Sequence, residues 1–574
     1  MEKRALLAIT LSLAILLLWQ FLFPPPKPVK TAKQPPSSQE LNQEAPAPPE
    51  EKSGEPLTPE QDDAPLVPAL SDKGPAALPP EQEVTVSTKL YTARLSSQGA
   101  CLKTFDLLSY TDHAVLPAIC SVFPFSRFYD TALINAVPEH KELVSNHGTA
   151  IHPFQVTLDG IDSGRLARAP FTPSAGSLSL DDSGPRGEIS FSWTSPEGIT
   201  FTKQFAFFNE SYYIDCRFTI ENNSARPLQL SPAFAWPLKM NPAMQNSGGG
   251  FFGGGSGDME NFLYLISDTL NRKAVSDIKE NKVFSGDIKW AGFEEKYFIE
   301  TFIPLEAADV KLTLLPPANN EASFQLAYPS ADIQPGDRTV FSATAYLGPK
   351  DLGHLEKGPG GLGKILSFGW LDPVAKPMLY ILKLFYRAIP NYGLAIILLS
   401  VGIKIIFWPL THKSQKSMKE MQKIQPKLAE LKEKYKDNKE ELNRRTLEFY
   451  RANKVNPLGG CLPILIQIPV FFALYRVLLN SIELRHAPFI TYWINDLSSK
   501  DPTLISPLLM GASMFIQQKM TPTVGDPTQA KIMLIMPVMF TFMFLSFPSG
   551  LVIYWLVTNV LSIAQQYYIN KHAA

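Results

Sequence analysis

Two periods of hydrophobicity divide the chain. From about Glu83 to Gly348 apolar and polar residues alternate, the pattern of half-buried strands. Val84-Thr85-Val86, Ile189–Trp193, Thr200–Phe207, Tyr212–Ile220, Ser323–Tyr328 and Thr339–Leu347 all read this way, bounded by Gly, Pro, Asn and Asp. Antiparallel strands over so long a stretch predict a large β-sandwich across residues 83–350. Beyond residue 390 the alternation gives way to apolar runs: 391–411, Leu458–Leu479, Thr503–Gln518, Ile532–Phe547 and Leu551–Tyr568. Another, Ala5–Phe23, opens the chain with nineteen uncharged residues. About twenty apolar residues cross a bilayer as a helix, so six spans are predicted, five of them grouped at the C-terminal end. The fourth and fifth have sixteen residues each, short enough to imply local bilayer thinning.

The segments between are as informative. Lys3 and Arg4 before Ala5–Phe23 suit a signal peptide, but the apolar run is too long and ends in Trp19, Phe21 and Phe23 without a small-residue cleavage site. An uncleaved anchor over residues 1–23, with its N-terminus in the cytoplasm, is expected. Residues 24–82 hold sixteen prolines among Glu, Gln, Ser and Ala, which reads as an extended, partly disordered tether; a proline-motif ligand is the alternative. Within 361–390, Lys383 and Arg387 share a face beside Leu379, Leu382, Tyr386 and Ile389, predicting an amphipathic helix on the membrane surface. Pro373 and Pro377 are expected to break its approach and Pro390 to end it. Residues 412–456 carry thirteen Lys/Arg against seven Asp/Glu, a net of 13 − 7 = +6, with stripes at Ile424, Leu428, Leu431, Tyr435 and at Leu442, Thr446, Phe449. That predicts a basic helical hairpin turning at Asp437-Asn438. A solvated helical face explains the charge sign, as does the positive-inside rule, but neither explains a hairpin of this length. Four spans in 457–569 and a tail, 570–574, complete the chain, and the loop charges put both termini inside and the β-domain outside.

Composition changes this picture little, since a net charge of −1 averages two unlike halves. The cysteines, Cys101, Cys120, Cys216 and Cys461, have no metal-ligand spacing, and free buried thiols are expected. The glycine-rich run 248–257 lacks the closing Lys-Ser/Thr of a phosphate-binding loop. No HExxH, no Gly-x-Ser-x-Gly and no marked acid pair is present, so no catalytic residue, metal site or cofactor site is assigned. The polar chemistry sits inside the spans. Lys404 lies five residues before Pro409, where a charge costs roughly 3 kcal/mol unless water or a partner receives it. It either snorkels to the headgroups or faces a wet cavity. Gln467, Gln517, Gln518, Asn559, Gln565 and Gln566 also fall in the middle or cytoplasmic half, whereas the outer halves are almost all Leu, Ile, Val, Phe and Met. Interhelical hydrogen bonding explains each amide singly. Together with the lysine they point to a groove open to the cytoplasm and sealed outside. A substrate-translocating transporter is the alternative, though no internal repeat supports it.

The segments Trp408-Pro-Leu-Thr411, Gln425-Pro-Lys427, Lys454-Val-Asn-Pro-Leu-Gly-Gly-Cys461, Leu465-Ile-Gln-Ile-Pro469, Phe471-Phe-Ala-Leu-Tyr475, Glu483-Leu-Arg-His-Ala-Pro488, Gln518-Lys-Met-Thr-Pro522 and Phe547-Pro-Ser-Gly-Leu551 resemble the YidC/Oxa/Alb family of membrane protein insertases. Gly198-Ile-Thr-Phe-Thr-Lys203 and Trp290–Pro304 are similar to the periplasmic domain of its bacterial members, itself like sugar-mutarotase sandwiches. The resemblance implies a polytopic α-helical membrane protein of the bacterial inner membrane, with six transmembrane helices, a five-helix core and a large periplasmic β-sandwich. It further implies an insertase and chaperone, not an enzyme, with no cofactor. Its partners would be nascent inner-membrane proteins, the ribosome, the Sec translocon, a targeting receptor and the phospholipid membrane, and it would be monomeric when acting alone. Lys404 takes the groove-charge position, where the family more commonly has arginine, with Gln467, Gln517, Gln518, Asn559 and Gln565 around it. Phe471, Phe472, Met536, Phe540 and Phe544 would form the hydrophobic slide for a client's apolar segment. The tail Asn570–Ala574 is too short for ribosome docking, which leaves that role to the hairpin.

Overall fold

A computed structural model describes residues 80–115, 120, 137–145, 151–159, 163–240, 261–305, 309–435, 438–453, 462–521 and 527–572. The anchor, nearly all of the tether, the glycine-rich run and Cys461 lie outside the described residues.

Among the described residues, twenty strands form three sheets. β1 (Glu83–Ser87), β2 (Tyr91–Ser96), β3 (Cys101–Thr111), β4 (His140–Val144) and β7 (Ser177–Ser179) make one of five strands, ordered β4-β3-β2-β1-β7. The largest sheet runs β13-β12-β15-β16-β20-β10-β9-β8-β6. Its members are β6 (Thr172–Pro173), β8 (Arg186–Thr194), β9 (Ile199–Phe208), β10 (Tyr213–Asn222), β12 (Asn261–Ile266), β13 (Thr269–Ala274), β15 (Ile288–Glu294), β16 (Phe298–Leu305) and β20 (Arg338–Pro349). The third combines β5 (Gln155–Asp159), β11 (Leu228–Lys239), β14 (Lys282–Phe284), β17 (Lys311–Ala318), β18 (Glu321–Ala327) and β19 (Ala331–Ile333). All six strand segments anticipated from alternation fall on strands. Their apolar phase faces inward: Cys216, Phe218 and Ile220 of β10 are buried, while Asp215, Arg217, Thr219 and Glu221 between them are less so. Phe218 and Phe302 of the large sheet pack against Phe234 of β11 at 6.1 and 5.0 Å between ring centroids, and Phe293 against Phe324 of β18 at 5.3 Å. These rings form the seam of the sandwich.

One position in that core is not apolar. Phe201, Phe205 and Phe207 are the buried phase of β9, and Lys203 stands among them, 1% exposed. Its ammonium donates to the carbonyls of Gly99 (2.7 Å), Ala100 (3.2 Å) and Phe154 (2.7 Å). Those three residues all have positive φ, at 70°, 45° and 65°, which strains alanine and phenylalanine. The lysine therefore pins two turns that the backbone alone would not favour. Cys101 and Cys216 lie near it, free and buried, as is Cys120.

Seven helices of more than one turn follow among the described residues: α1 (Asp372–Ala388), α2 (Tyr392–Lys434), α3 (Lys439–Ala452), α4 (Leu462–Asn480), α5 (Ile505–Met520), α6 (Pro527–Phe544) and α7 (Ser549–His572). The helix does not stop at Thr411: α2 continues through Pro409 and Pro426 for 43 residues, so the apolar run and the first arm of the hairpin lie on one rod. At 1.5 Å per residue it is about 64 Å long. The run of Lys, Met, Gln, Glu and Leu after Thr411 propagates helix strongly enough to absorb a proline. In α1, Pro373 sits in the first turn, where its missing N–H costs nothing, and Pro377 is carried inside the helix without ending it. The second arm of the hairpin, α3, starts where Asn438 caps it by accepting from Glu441 N at 3.1 Å.

Candidate functional site: a lysine between helices and an outer latch

Asn391 starts α2 twice over. Its Oδ1 caps Leu394 N at 3.0 Å, and its Nδ2 donates to Phe489 O at 3.0 Å in the loop after α4. From there Leu394, Leu398, Ile405, Ile406 and Trp408 point outward, Ile406 with 71% of its surface exposed. Leu508, Leu509 and Ile516 of α5 and Ile535, Val538, Met539 and Phe542 of α6 do the same. A bilayer is the solvent that such a belt needs. Among the described residues α2 alone is long and apolar enough to cross a membrane, and shorter apolar helices run Ile466–Asn480 and Leu534–Phe544.

α7 runs beside both α2 and α5, and its start packs against the first turns of α2, with Gly550 beside Ile396. Lys404, twelve residues into α2, meets Ser562, thirteen residues into α7, with Nζ 2.8 Å from Oγ. Both stand about 18–20 Å along their helices from those starts. One turn deeper, Gln565 Nε2 donates to Trp408 O at 3.4 Å. On the other side of α7, Asn559 donates to Ser513 Oγ of α5 at 3.0 Å, and Gln566 to Met520 O at 2.6 Å. Lys419 reaches the end of α7, 3.0 Å from Ile569 O, where a cation suits the helix dipole. Asn559, Gln565 and Gln566 are buried and act as ties between helices, while Lys404, Gln467, Gln517 and Gln518 are half-buried. Lys404 has no acidic partner among the described residues.

The outer half is closed by aromatic rings around Trp555, which sequence reasoning missed. Phe471 of α4 and Phe544 of α6 meet it edge-on at 4.9 and 5.1 Å, and Phe540 stacks at 6.0 Å. Tyr475 and Phe544 add Phe547 at 5.7 and 5.0 Å. Of the residues expected to line a slide, Phe544 is fully buried in this plug. Phe471 and Phe540 are half-buried at its rim, Met536 is half-buried lower on α6, and Phe472 faces outward. The only sequence signal for Trp555 was a tryptophan displaced from the interface, where such residues are usually found.

Above the plug lies a polar junction, and Lys383, expected on the cationic face of a membrane-surface helix, is paired within it. It turns inward to Asp351 Oδ2 (2.8 Å), just past β20, and Glu483 Oε1 (2.6 Å), just past α4. Lys350, one residue earlier, reaches back to Glu294 at 3.0 Å, and Arg272 joins it at 3.0 Å. Burial pushes the Asp351 carboxyl up, but the Lys383 ammonium outweighs this and holds it below its ordinary value. For Glu483 burial wins, and its carboxyl sits above the ordinary value. Arg485 lies over the Phe298 ring at 5.1 Å and donates to Asp112 O at 3.1 Å, while His486 Nδ1 is 3.0 Å from Thr111 Oγ1. Sandwich, α1 and the loop after α4 are thus latched through charged groups whose partners lie far apart in sequence. No group of three or more His, Cys, Asp or Glu among the described residues is placed to hold a metal ion.

Residues 384–574 match the family model described as 60Kd inner membrane protein, and residues 135–381 that of the YidC periplasmic domain. The chain is 42% identical over 583 residues to the membrane protein insertase YidC of Syntrophus aciditrophicus, covering 100% of both chains. With that of Geobacter sp. strain M21 it shares 41% over 491 residues, covering 85% and 86%. Among solved structures it is similar to an active YidC insertase with the first transmembrane domain resolved, at 18% identity and a TM-score of 0.35, over 86% of this chain and 93% of that one.

Proposed function

Because this chain belongs to the YidC family of membrane protein insertases, integral to the inner membrane and carrying a periplasmic domain, we propose that it inserts client proteins through a groove whose working charge is Lys404. The observation that carries this is the seating of that residue. A cation about 18 Å down an apolar bundle is held by one neutral hydroxyl, with no counter-ion among the described residues. Its remaining donors are free for a client, and the plug around Trp555 closes the outer side. A polar or acidic client segment is drawn to Lys404 from the cytoplasm. The client's apolar segment then follows α4 and α6, past Phe472 and Met536, into lipid. Gln467, Gln517 and Gln518 supply further polar lining.

The remaining organisation follows that reading. Six spans, five forming the core, leave both termini in the cytoplasm. The hairpin built from the inner half of α2 and from α3 faces the cytoplasm, where its positive charge meets the ribosome, the targeting receptor and the Sec translocon. Clients are nascent inner-membrane proteins, taken up by the protein alone as a monomer or together with Sec.

The test compares insertion of clients with acidic and with neutral translocated tails. Lys404→Gln should impair the acidic-tailed clients, Lys404→Glu should impair them more, and Lys404→Arg should retain function. Equal insertion of acidic-tailed clients by the parent, Lys404→Gln and Lys404→Glu would leave snorkelling as the account of Lys404.

A further inference from the structure

Lysine is a poor residue to place deep in a bundle for a fixed electrostatic task. Its stem has four rotatable bonds, and its hydrated head favours the nearer interface over a defined position. We infer that Ser562 is the positioning residue that holds Lys404 at working depth. This rests on the groove reading above.

The geometry gives Ser562 one role. Its own hydroxyl proton goes to Thr558 O, 2.7 Å away on the preceding turn of α7. A hydroxyl has one proton, so toward Lys404 Nζ, at 2.8 Å, Ser562 Oγ can only accept. The bond within α7 fixes the rotamer, and the fixed oxygen then fixes the ammonium. An ammonium has three donors, so one is used and two remain. Serine adds no charge, so the field of Lys404 is left intact for a client carboxylate; an acid at 562 would cancel it. Ser562 is 8% exposed, so water competes poorly for its lone pairs. The role therefore depends on the hydroxyl and not on the volume of the side chain.

Gln565 extends the argument. It lies three residues further along the same face of α7, 1% exposed, and its Oε1 has no hydrogen-bond partner among the described residues. A lysine head has one pole and is held by Ser562. A guanidinium is a longer planar fork, able to use acceptors on successive turns. An arginine at 404 should therefore depend on Ser562 less than the native lysine does.

Threonine and valine at 562 are near-isosteres that differ in the hydroxyl alone, so the pair separates positioning from packing. In the full-length protein reconstituted into vesicles, Ser562→Val should slow insertion of an acidic-tailed client about tenfold, the effect of losing one hydrogen bond to a charged group. A neutral-tailed client should insert at the parent rate, and Ser562→Thr should retain both rates. In a Lys404→Gln background Ser562→Val should have no further effect, and in a Lys404→Arg background a reduced one. If Ser562→Val matches the parent on acidic tails, slows both clients equally, or adds fully to Lys404→Gln, Ser562 is not a positioning residue. If Lys404→Gln itself is without effect, the groove reading falls and this inference with it. An impaired Lys404→Gln beside an unimpaired Ser562→Val would remove only the role of Ser562.

Discussion

Lys383→Met removes the cation from a site built around two carboxylates, 2.8 and 2.6 Å away, whose side chains are 19% and 13% exposed against 25% for the lysine. Breaking a buried ion pair from one side costs about 3–5 kcal/mol, and partial exposure puts this one at the lower end, near 3 kcal/mol. The cost falls on the junction, because Asp351 and Glu483 lie in the segments just past β20 and α4 and Lys383 lies on α1. Sandwich and bundle should therefore each stay folded while the contact between them opens more often. The amides of His354, Leu355 and Glu356, and of Leu484, Arg485 and Ala487, are bonded to carbonyls in the two segments the latch joins. Hydrogen exchange of the purified full-length protein should show them faster by roughly a hundredfold, the factor that 3 kcal/mol implies for exchange limited by opening. Adding Glu483→Gln removes the repulsion left between the carboxylates and should recover part of the loss. Unchanged exchange in Lys383→Met, or a double variant no slower than the single one, would refute the latch.

The same site makes a prediction about pH. The Asp351 carboxyl is held below its ordinary value, so its contribution is complete above about pH 4 and fades only as pH falls through the lower folded value. Lys383 is raised above 10.5; although burial opposes this, Glu483 and Asp351 outweigh it, so its contribution persists until strongly alkaline pH. Glu483, raised, takes up its proton before Asp351 does, and doing so relieves the crowding of two anions on one cation. Junction exchange, corrected for intrinsic rates, should slow as pH falls through the raised Glu483 value and stay flat from there into the alkaline range.

Lys203→Met should destabilise the sandwich by about 3 kcal/mol, read as a lower urea midpoint, since three inward carbonyls lose their donor at roughly 1–3 kcal/mol each while the cost of burying an ammonium is relieved. Burial holds Lys203 down at about 8, so the unfolded chain binds the extra proton between pH 8 and 10.5, and sandwich stability should rise across that window; a fall would contradict the assignment. Burial also pushes the Cys101 and Cys216 thiols up to about 11 and about 12, so in a Cys120→Ser/Cys461→Ser background a maleimide at pH 7.5 should label neither until urea is added, and labelling of the folded protein would show that the core opens.

Much of this architecture was legible because it is periodic. Alternation located β1, β8, β9, β10, β18 and β20, and apolar runs located the helices. What escaped was set by contacts between distant residues. β11 carries Pro232 and Pro237, which argue against a strand, yet it pairs with β5, β18 and β19; Pro237 lies past the segment that β5 pairs, where one neighbour suffices. Lys383 read only as part of the cationic face of a surface helix because its partners are 32 residues before it and 100 after. Ser562 gave no signal, since a small hydroxyl in an apolar helix is unremarkable until the side chain opposite is known. Lys203 was visible in principle: it occupies the buried phase of a strand of phenylalanines, and a lysine there requires acceptors.

Lys203, Lys383 and Lys404 differ in what surrounds them, and that difference separates their roles. Lys203 faces three carbonyls, which use all three donors of its ammonium, so nothing remains to offer a ligand. Lys383 faces two carboxylates, so its charge is over-matched and its field does not extend outward. Lys404 faces one neutral oxygen, and among the described residues its charge is uncompensated. An uncompensated cation in a bundle costs stability, and a fold that needed only a tie between α2 and α7 could use an amide, as α5 and α7 do through Asn559 and Ser513. Retaining a charge where an amide would tie the helices at lower cost is reasonable if an opposite or strongly polar group arrives from outside. On the proposed reading of Lys404, the stability deficit at 404 and the capture of a client are two aspects of one interaction, in which the client supplies the partner that the bundle lacks.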